Sequence, residues 1–163
     1  MAQPPLVVAA ATRPYPGETA NGDAWSVQWT ENACRIAVID DDAVFLDLMN
    51  DLLALGEGYE VLCTPDWLRG FEFIKEQQPD LVMLDLMLGR EQTGWRVLQL
   101  LREDPATDHI PVIVCSAAAP ALHQCGSPSE GHGAIATVAK PFDIDHLLAI
   151  IASLLPGSKD PAV

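Results

Sequence analysis

Asp40 and Asp41 follow the apolar run RIAVI, Asp85 follows DLVML, Ser116 follows PVIVC, and Lys140 follows AIATVA and precedes Pro141. Each therefore stands where a short buried strand would end. Two ionised carboxylates ~5 Å apart repel by roughly 3 kcal/mol at an effective dielectric of about 20. Three of them need a cation or raised pKa values. A hard divalent ion is the natural partner, and Mg²⁺ (or Mn²⁺) suits a site with few protein ligands and several waters. Lys140 adds a compact positive charge, and Ser116 adds a hydroxyl donor. Metal, lysine and hydroxyl together can hold the three oxygens of a phosphoryl group on one carboxylate. Phosphoryl transfer asks mostly for positioning and charge neutralisation, so this set is sufficient. A carboxylate acceptor would give an aspartyl-phosphate.

These residues need a scaffold that brings strand ends together, and from Arg35 onward the chain alternates strand and helix patterns. RIAVI, YEVLC, DLVML, IPVIVC and AIATVA are short apolar runs of the kind found in buried parallel strands. The first intervening helix, within residues 42–58, has Val44, Leu48, Leu52 and Leu55 at helical spacing, with Phe45, Met49 and Leu53 widening the stripe. Gly56 and Gly58 end it. The second helix is expected to start with Thr64 as N-cap and Pro65 at its first position. In the third helix, Trp95, Leu98 and Leu101 share one side. In the last, Leu147, Leu148, Ile151 and Leu155 face inward. The stretch at 119–133 carries two Pro and three Gly. At ~1 kcal/mol per interior Gly and ~3 kcal/mol per Pro, a fourth helix there would be short or irregular.

Five such units predict an α/β, flavodoxin-like, doubly wound five-stranded parallel sheet of order 2-1-3-4-5, with helices on both faces. The first and third strands are then neighbours at the switch point. Asp40, Asp41 and Asp85 converge in one crevice. Residues 1–33 are read as an N-terminal extension, partly flexible, with residues 24–33 as a short strand on the domain edge. The domain spans 34–156, and 157–163 form a C-terminal tail.

The chain has 163 residues, with 9 basic against 23 acidic and a formal net charge of −14. So acidic a surface repels nucleic acid and anionic lipid, which argues against direct binding to either. The apolar stretches are too short to span a bilayer, and the N-terminus lacks a basic n-region, so the expected location is cytoplasmic. Cys34, Cys63, Cys115 and Cys125 form no CxxC pair, which argues against a zinc site. Cys63 and Cys115 fall in strand patterns and read as buried thiols.

Between Cys34 and Pro156 the runs RIAVIDDD, PDLVMLDLMLG, TGWRVLQLLR, DPATDHIPVIVCSA and VAKPF occur in order. In this the chain resembles receiver domains of two-component response regulators, the CheY-like family. The resemblance implies Asp85 as phospho-acceptor. It makes Asp41 and Asp85 direct Mg²⁺ ligands, Asp40 a ligand mostly through water, and the Met87 backbone carbonyl a third protein ligand. Ser116 would bond the phosphoryl group, and Lys140 would pair with Asp85 and then with the phosphate. Lys140–Pro141 would be a cis peptide, and Ala117 the small residue admitting the donor phosphohistidine. The implied partners are a histidine kinase or histidine phosphotransfer protein and a downstream protein effector.

The chain departs from the family pattern at readout. Thr137 stands where an aromatic is usual three residues before the lysine, Gly89 replaces a common Pro, and the fourth-helix region is Pro/Gly-rich. Residues 12–25 also resemble the opening of PPM-type serine phosphatase domains, in which Asp23 would bind metal. No remainder of that domain follows, and Asp23 is taken as non-functional.

With eight residues after Leu155, the expectation is a stand-alone receiver that accepts phosphate and signals by protein contact. Beyond Mg-dependent autophosphorylation and autodephosphorylation, it would not be an enzyme. One alternative is a haloacid-dehalogenase-like phosphatase with Asp40 as nucleophile and Asp42 as acid. It leaves Asp85 unexplained and needs an acidic pair after a further strand. The other is a phosphorylation-independent pseudo-receiver scaffold, kept open by the altered face. Asp42 on its own is best read as a helix cap.

Overall fold

The computed structural model of the chain describes residues 33–88, 93–117 and 133–155. Its five strands are β1 (Arg35–Ile39), β2 (Glu60–Thr64), β3 (Leu81–Asp85), β4 (Val112–Ser116) and β5 (Ile135–Ala139). All pair in parallel, in the order β2-β1-β3-β4-β5. The expected flavodoxin-like order is the observed one. β1, β3 and β4 lie between other strands, which is why their apolar runs are unbroken: both faces are covered. The edge strands β2 and β5 are only partly buried.

Successive side chains of a strand point to opposite faces, so β1 feeds two cores. Ile36 and Val38 join one, with α1 (Ala43–Asn50) and α4 (Ile144–Leu154). Ala37 and Ile39 join the other, with α2 (Gly70–Gln77) and α3 (Thr93–Glu103). Fully buried valine and isoleucine side chains contribute roughly 1.5–3 kcal/mol each.

Local chemistry sets the helix ends. The Asp42 carboxylate accepts the Val44 and Phe45 N–H groups at 2.9 and 3.3 Å, capping α1 as expected of that acid. α1 runs on into a π-helical turn, Asp51–Gly56. Gly58, at φ 78°, lets the chain reverse there. Its N–H bonds the Ala54 carbonyl, and the Tyr59 N–H bonds that of Leu53. Asp143 caps α4 through the His146 N–H.

Two helix expectations need correcting. Thr64 does not cap the second helix; it ends β2, and its hydroxyl accepts the Asp66 N–H. Asp66 is the cap, holding a short 3₁₀ turn, Trp67–Arg69, that leads into α2 at Gly70. The inward side of α1 is also different. Leu46, Met49 and Leu53 are buried, whereas Val44, Leu48 and Leu55 are 77%, 50% and 68% exposed. Both sides of this helix are apolar, so spacing alone could not tell core from surface. The other inward residues behave as read: Leu98, Leu101, Leu147, Ile151 and Leu155 are buried, and Trp95 and Leu148 pack half-buried against the same cores. Cys115 is buried, and Cys63 half-buried. The fourth-helix region (118–132), Asp23, Gly89, Cys125, the strand at 24–32 and the tail lie outside the described residues.

Gly94 opens α3 against β3. A Cβ there would collide with the Asp85 carbonyl oxygen and the Leu86 Cα. Overpacking of this kind typically costs 1–3 kcal/mol. Gly94→Ala should lower the urea-unfolding free energy by about 2–3 kcal/mol or more, because backbone cannot yield as a side chain can. A neutral result would mean that α3 does not pack this closely. Burial pushes the Cys115 thiol up to about 12, and a thiol, unlike its thiolate, is a poor nucleophile. Peptide mapping after iodoacetamide treatment at pH 8 should find Cys115 unlabelled in the native chain and labelled in urea.

Candidate functional site

Parallel strands that reverse order between β1 and β3 place their carboxyl ends around one crevice. β1 ends at Ile39, so Asp40 comes next, 1% exposed. Asp85 is the last residue of β3 and is also buried. Asp41, exposed, completes a set in which each acid offers one oxygen within 4.8 Å of the others. Lys140, one residue past β5, reaches across the sheet edge to both buried acids. Its Nζ donates to Asp40 Oδ2 at 2.5 Å and to Asp85 Oδ2 at 3.1 Å.

The second oxygens of these acids are engaged as well. Asp40 Oδ1 accepts the Asp42 N–H at 2.9 Å, and Asp85 Oδ1 accepts the Met87 N–H at 2.8 Å. Each acid thus turns the chain that follows it, and for Asp40 the Asp42 N–H favours the charged form. Burial nevertheless pushes the Asp40 carboxyl above its ordinary value, against the opposing pull of Lys140. For Lys140, burial pulls the ammonium down, but the hydrogen bond to Asp40 and the two negative charges carry it above its ordinary value.

Sequence reasoning missed two aromatic residues here. Phe45, in the first turn of α1, presents its ring to the Lys140 ammonium, 4.0 Å from the centroid. Phe142 meets that ring edge-on, with centroids 5.9 Å apart. The Asp42 cap fixes where α1 begins and so aims Phe45. An aromatic three residues after a capping acid is the only signal the sequence offered, and it names no partner.

Ser116 ends β4 and is fully buried. Its carbonyl accepts the Lys140 backbone N–H at 2.9 Å, which continues the β4–β5 ladder to the lysine. Ala117 follows it, exposed. The Lys140–Pro141 peptide is cis, as expected. The Met87 side chain is partly exposed, and Thr137 is exposed on β5. The structure therefore brings together Asp40, Asp41, Asp85 and Lys140, with Phe45 against the lysine. Asp42 is occupied as a helix cap, not presented as an acid. Asp143 caps α4, leaving no further strand among the described residues to carry the acidic pair a haloacid-dehalogenase site requires.

No helix among the described residues is long and apolar enough to cross a membrane. A family profile described as "Response regulator receiver domain" matches residues 36–152. The DNA-binding dual master transcriptional regulator RpaA of Synechocystis is 39% identical over 123 residues, 74% of this chain and 48% of RpaA. This chain thus spans about half the length of that relative. The polar-differentiation response regulator DivK of Brucella anthropi is 28% identical over 74% of this chain and 94% of DivK. Among solved structures, the receiver domain of the sensor histidine kinase PA1611 of Pseudomonas aeruginosa matches with a TM-score of 0.62 at 20% identity, covering 75% of this chain and 97% of that one. That domain was crystallised with a magnesium ion in its active-site cleft. On the profile match and the RpaA identity, this chain belongs to the response regulator receiver family of two-component systems.

Proposed function

We propose that residues 34–156, flanked by residues 1–33 and 157–163, act as the receiver of a response regulator. It takes a phosphoryl group on Asp85 from a histidine kinase or histidine phosphotransfer protein and passes the state on by protein–protein contact in the cytoplasm. One observation carries the reading: three carboxylates converge within 4.8 Å, and a single lysine bridges the two buried ones. A structural ion pair needs one acid for one base. Three acids around one base suit a site that receives something else.

An all-oxygen donor set fits a hard divalent cation, and Mg²⁺ or Mn²⁺ would be held by Asp41, Asp85 and the Met87 carbonyl, with Asp40 acting through water. When bound, the cation neutralises charge on the phosphoryl oxygens. The remaining work belongs to the chain. The Met87 N–H holds one Asp85 oxygen, leaving the other to attack phosphorus. The P–O bond forms as the donor's P–N bond breaks, and the leaving imidazole keeps the electron pair and takes a proton. Lys140 moves its charge from the Asp85 carboxylate to the new phosphate, while Ser116 donates its hydroxyl. Within the complex with the donor, the chain positions the acceptor and neutralises its charge in advance; it supplies no general base.

Incubation with acetyl phosphate and Mg²⁺ should give a chain retarded on a phosphate-affinity gel, with the label on Asp85 by mass spectrometry. Asp85→Asn should abolish it. A label on Asp40 retained in that variant would mean a phosphatase-like nucleophile, and no Mg²⁺-dependent response would leave a scaffold.

Lys140 also holds the crevice together before phosphorylation. Breaking a buried pair by removing one partner typically costs 3–5 kcal/mol; Lys140 is partly exposed, so about 2–3 kcal/mol is expected at pH 7 for Lys140→Met. The sign with pH follows from Asp40. Its native pKa is raised, so the favourable contribution of its neutral form is complete below the unfolded value of about 3.9 and is lost as pH rises through the native value. Without the ammonium the native value rises further, so the variant's deficit should be larger at pH 7 than at pH 4.5 in urea unfolding. Equal deficits would mean that Asp40 does not feel the lysine. Phe45→Leu removes a cation–π contact worth about 0.5–2 kcal/mol, and should slow labelling by acetyl phosphate roughly 2- to 30-fold without abolishing it.

A further inference from the structure

β2 is an edge strand: among the described residues it pairs with β1 alone. The Glu60 N–H bonds the Cys34 carbonyl, and the Asp40 N–H bonds that of Thr64. Even-numbered residues of β2 therefore point their backbone groups at β1. The residues between them, Val61 and Cys63, turn theirs to the open side. An open row of this kind is a template for another strand, and native sheets cover, bulge or charge such edges. β2 carries no lysine or proline to blunt its own.

The two flanks of this edge differ. On one face of the sheet, Phe71 and Lys75 take the side of α2 that meets α3, Phe71 in the cleft with Arg96 and Lys75 paired with Asp104. Phe73 therefore lies on the other side, over the β2 edge, half-buried on the core that holds Leu62. On the opposite face runs the flank of α1. The Leu46 carbonyl accepts the Cys63 thiol at 3.7 Å. Burial, then the nearby Asp47 charge, pushes that thiol up to about 11. Asn50 follows Asp47 by three residues on the same flank. Its Oδ1 is buried and accepts no hydrogen bond among the described residues. One flank thus offers an apolar surface, and the other an acceptor without a donor.

The sequence just ahead of β1 matches both. Residues 25–30 read Trp-Ser-Val-Gln-Trp-Thr, in strict alternation. As a strand, Trp25, Val27 and Trp29 share one face, and Ser26, Gln28 and Thr30 the other. The tether to β1 decides the direction. A strand ending at Thr30 must deliver Cys34 to the start of β1, which lies two strand spacings, roughly 10 Å, from the far side of β2. The four residues from Thr30 to Cys34 span at most ~14 Å. The segment can therefore reach only by running antiparallel to β2 and ending level with Tyr59. Doubly wound sheets commonly carry one antiparallel edge strand.

We propose that residues 25–30 form a sixth strand, antiparallel to β2 and paired with its open edge. Directly opposed residues share a face, and Val61 and Cys63 face α1. Ser26 thus stands opposite Cys63 and Gln28 opposite Val61. Gln28 brings its side-chain N–H to Asn50 Oδ1, while Val27 and Trp29 lie over Leu62 and Phe73. The strand exchanges backbone bonds with Val61 and Cys63 and closes the edge against other chains. It also sets where the rest of the extension leaves the domain. Trp25 stands opposite Thr64, the carboxyl end of β2, so residues 1–24 emerge at the end of the sheet that holds the acidic crevice. An unpaired extension would leave from the opposite end, where β1 begins.

Two measurements on the full chain test this. In the first, Ser26→Cys and Val27→Cys, each combined with Cys34→Ser, are oxidised with copper phenanthroline at pH 8, and peptide mapping looks for a link to the native Cys63. Opposed residues stand ~5.5 Å apart between Cα atoms, within disulfide reach. Ser26→Cys should link, and Val27→Cys, facing the other way, should not. In the second, amide exchange is followed residue by residue by NMR. The Val61 and Cys63 N–H groups should be protected in the wild type. Trp25→Ser/Trp29→Ser should speed their exchange at least tenfold and that of Leu62, which is bonded to β1, far less; circular dichroism checks the fold. Links from both cysteines, from neither or from Val27→Cys alone would overturn the proposal. So would Val61 and Cys63 amides that exchange freely in the wild type, or that the double variant leaves unchanged.

Discussion

One ammonium group set between two buried carboxylates governs this molecule. Asp40 and Asp85 follow neighbouring strands, so the topology forces them together whatever their charges prefer. Asp41 stands close enough for all three to share one ligand position. Lys140 answers the repulsion only in part. Three carboxylates against one ammonium leave two negative charges uncompensated, which is the charge of one divalent cation. That imbalance suits a divalent cation, because a fully neutralised cluster would attract none.

The lysine can do this only if its stem leaves the sheet at a fixed height and direction. Its backbone N–H bonds the Ser116 carbonyl, so β4 and β5 remain paired one residue beyond Ala139. β4 is itself registered on β3 with Cys115 opposite Asp85. The distance from Lys140 to Asp85 is thus set by three strands in register, and the approach to Asp40 by the fact that β1 lies on the other side of β3. Above the ammonium, Phe45 closes the remaining apolar side. Gly94 serves the same geometry from below, since only a residue without a Cβ lets α3 reach the Asp85–Leu86 backbone.

The strands and the acids at their ends were legible because burial on both faces writes an unbroken apolar run, and a charge at its end has no packing reason to be there. Asp42 was legible as a cap for a similar reason: one acid more than the crevice needs, at the start of a helix. The inward face of α1 was legible only in part: Met49 and Leu53 stood in the expected stripe, Leu46 did not. Leu46, Met49 and Leu53 and the opposed Val44, Leu48 and Leu55 are equally apolar, and a period cannot choose between two stripes. The start of α2 was misread because Thr64 and Asp66 both make good caps. β2 claims Thr64 through its pairing with Ile39, a long-range fact. Phe45 escaped notice for the same reason: its partner Lys140 lies 95 positions along the chain, and no local pattern links an aromatic to it.

That contact bears on how a change at Asp85 can be felt elsewhere. Receivers of the usual pattern carry an aromatic on the fifth strand, where this chain has Thr137, exposed and without a ring to move. The aromatic in touch with Lys140 here is Phe45, on α1. Nζ stands 3.1 Å from Asp85 and 4.0 Å from the Phe45 centroid, so any charge added at Asp85 alters the pull on a group that rests directly on α1. Phe142 packs edge-on against Phe45 and precedes Asp143, the cap of α4. The contiguous path from the acidic crevice therefore runs through two aromatic rings to the starts of α1 and α4, the two helices on one face of the sheet.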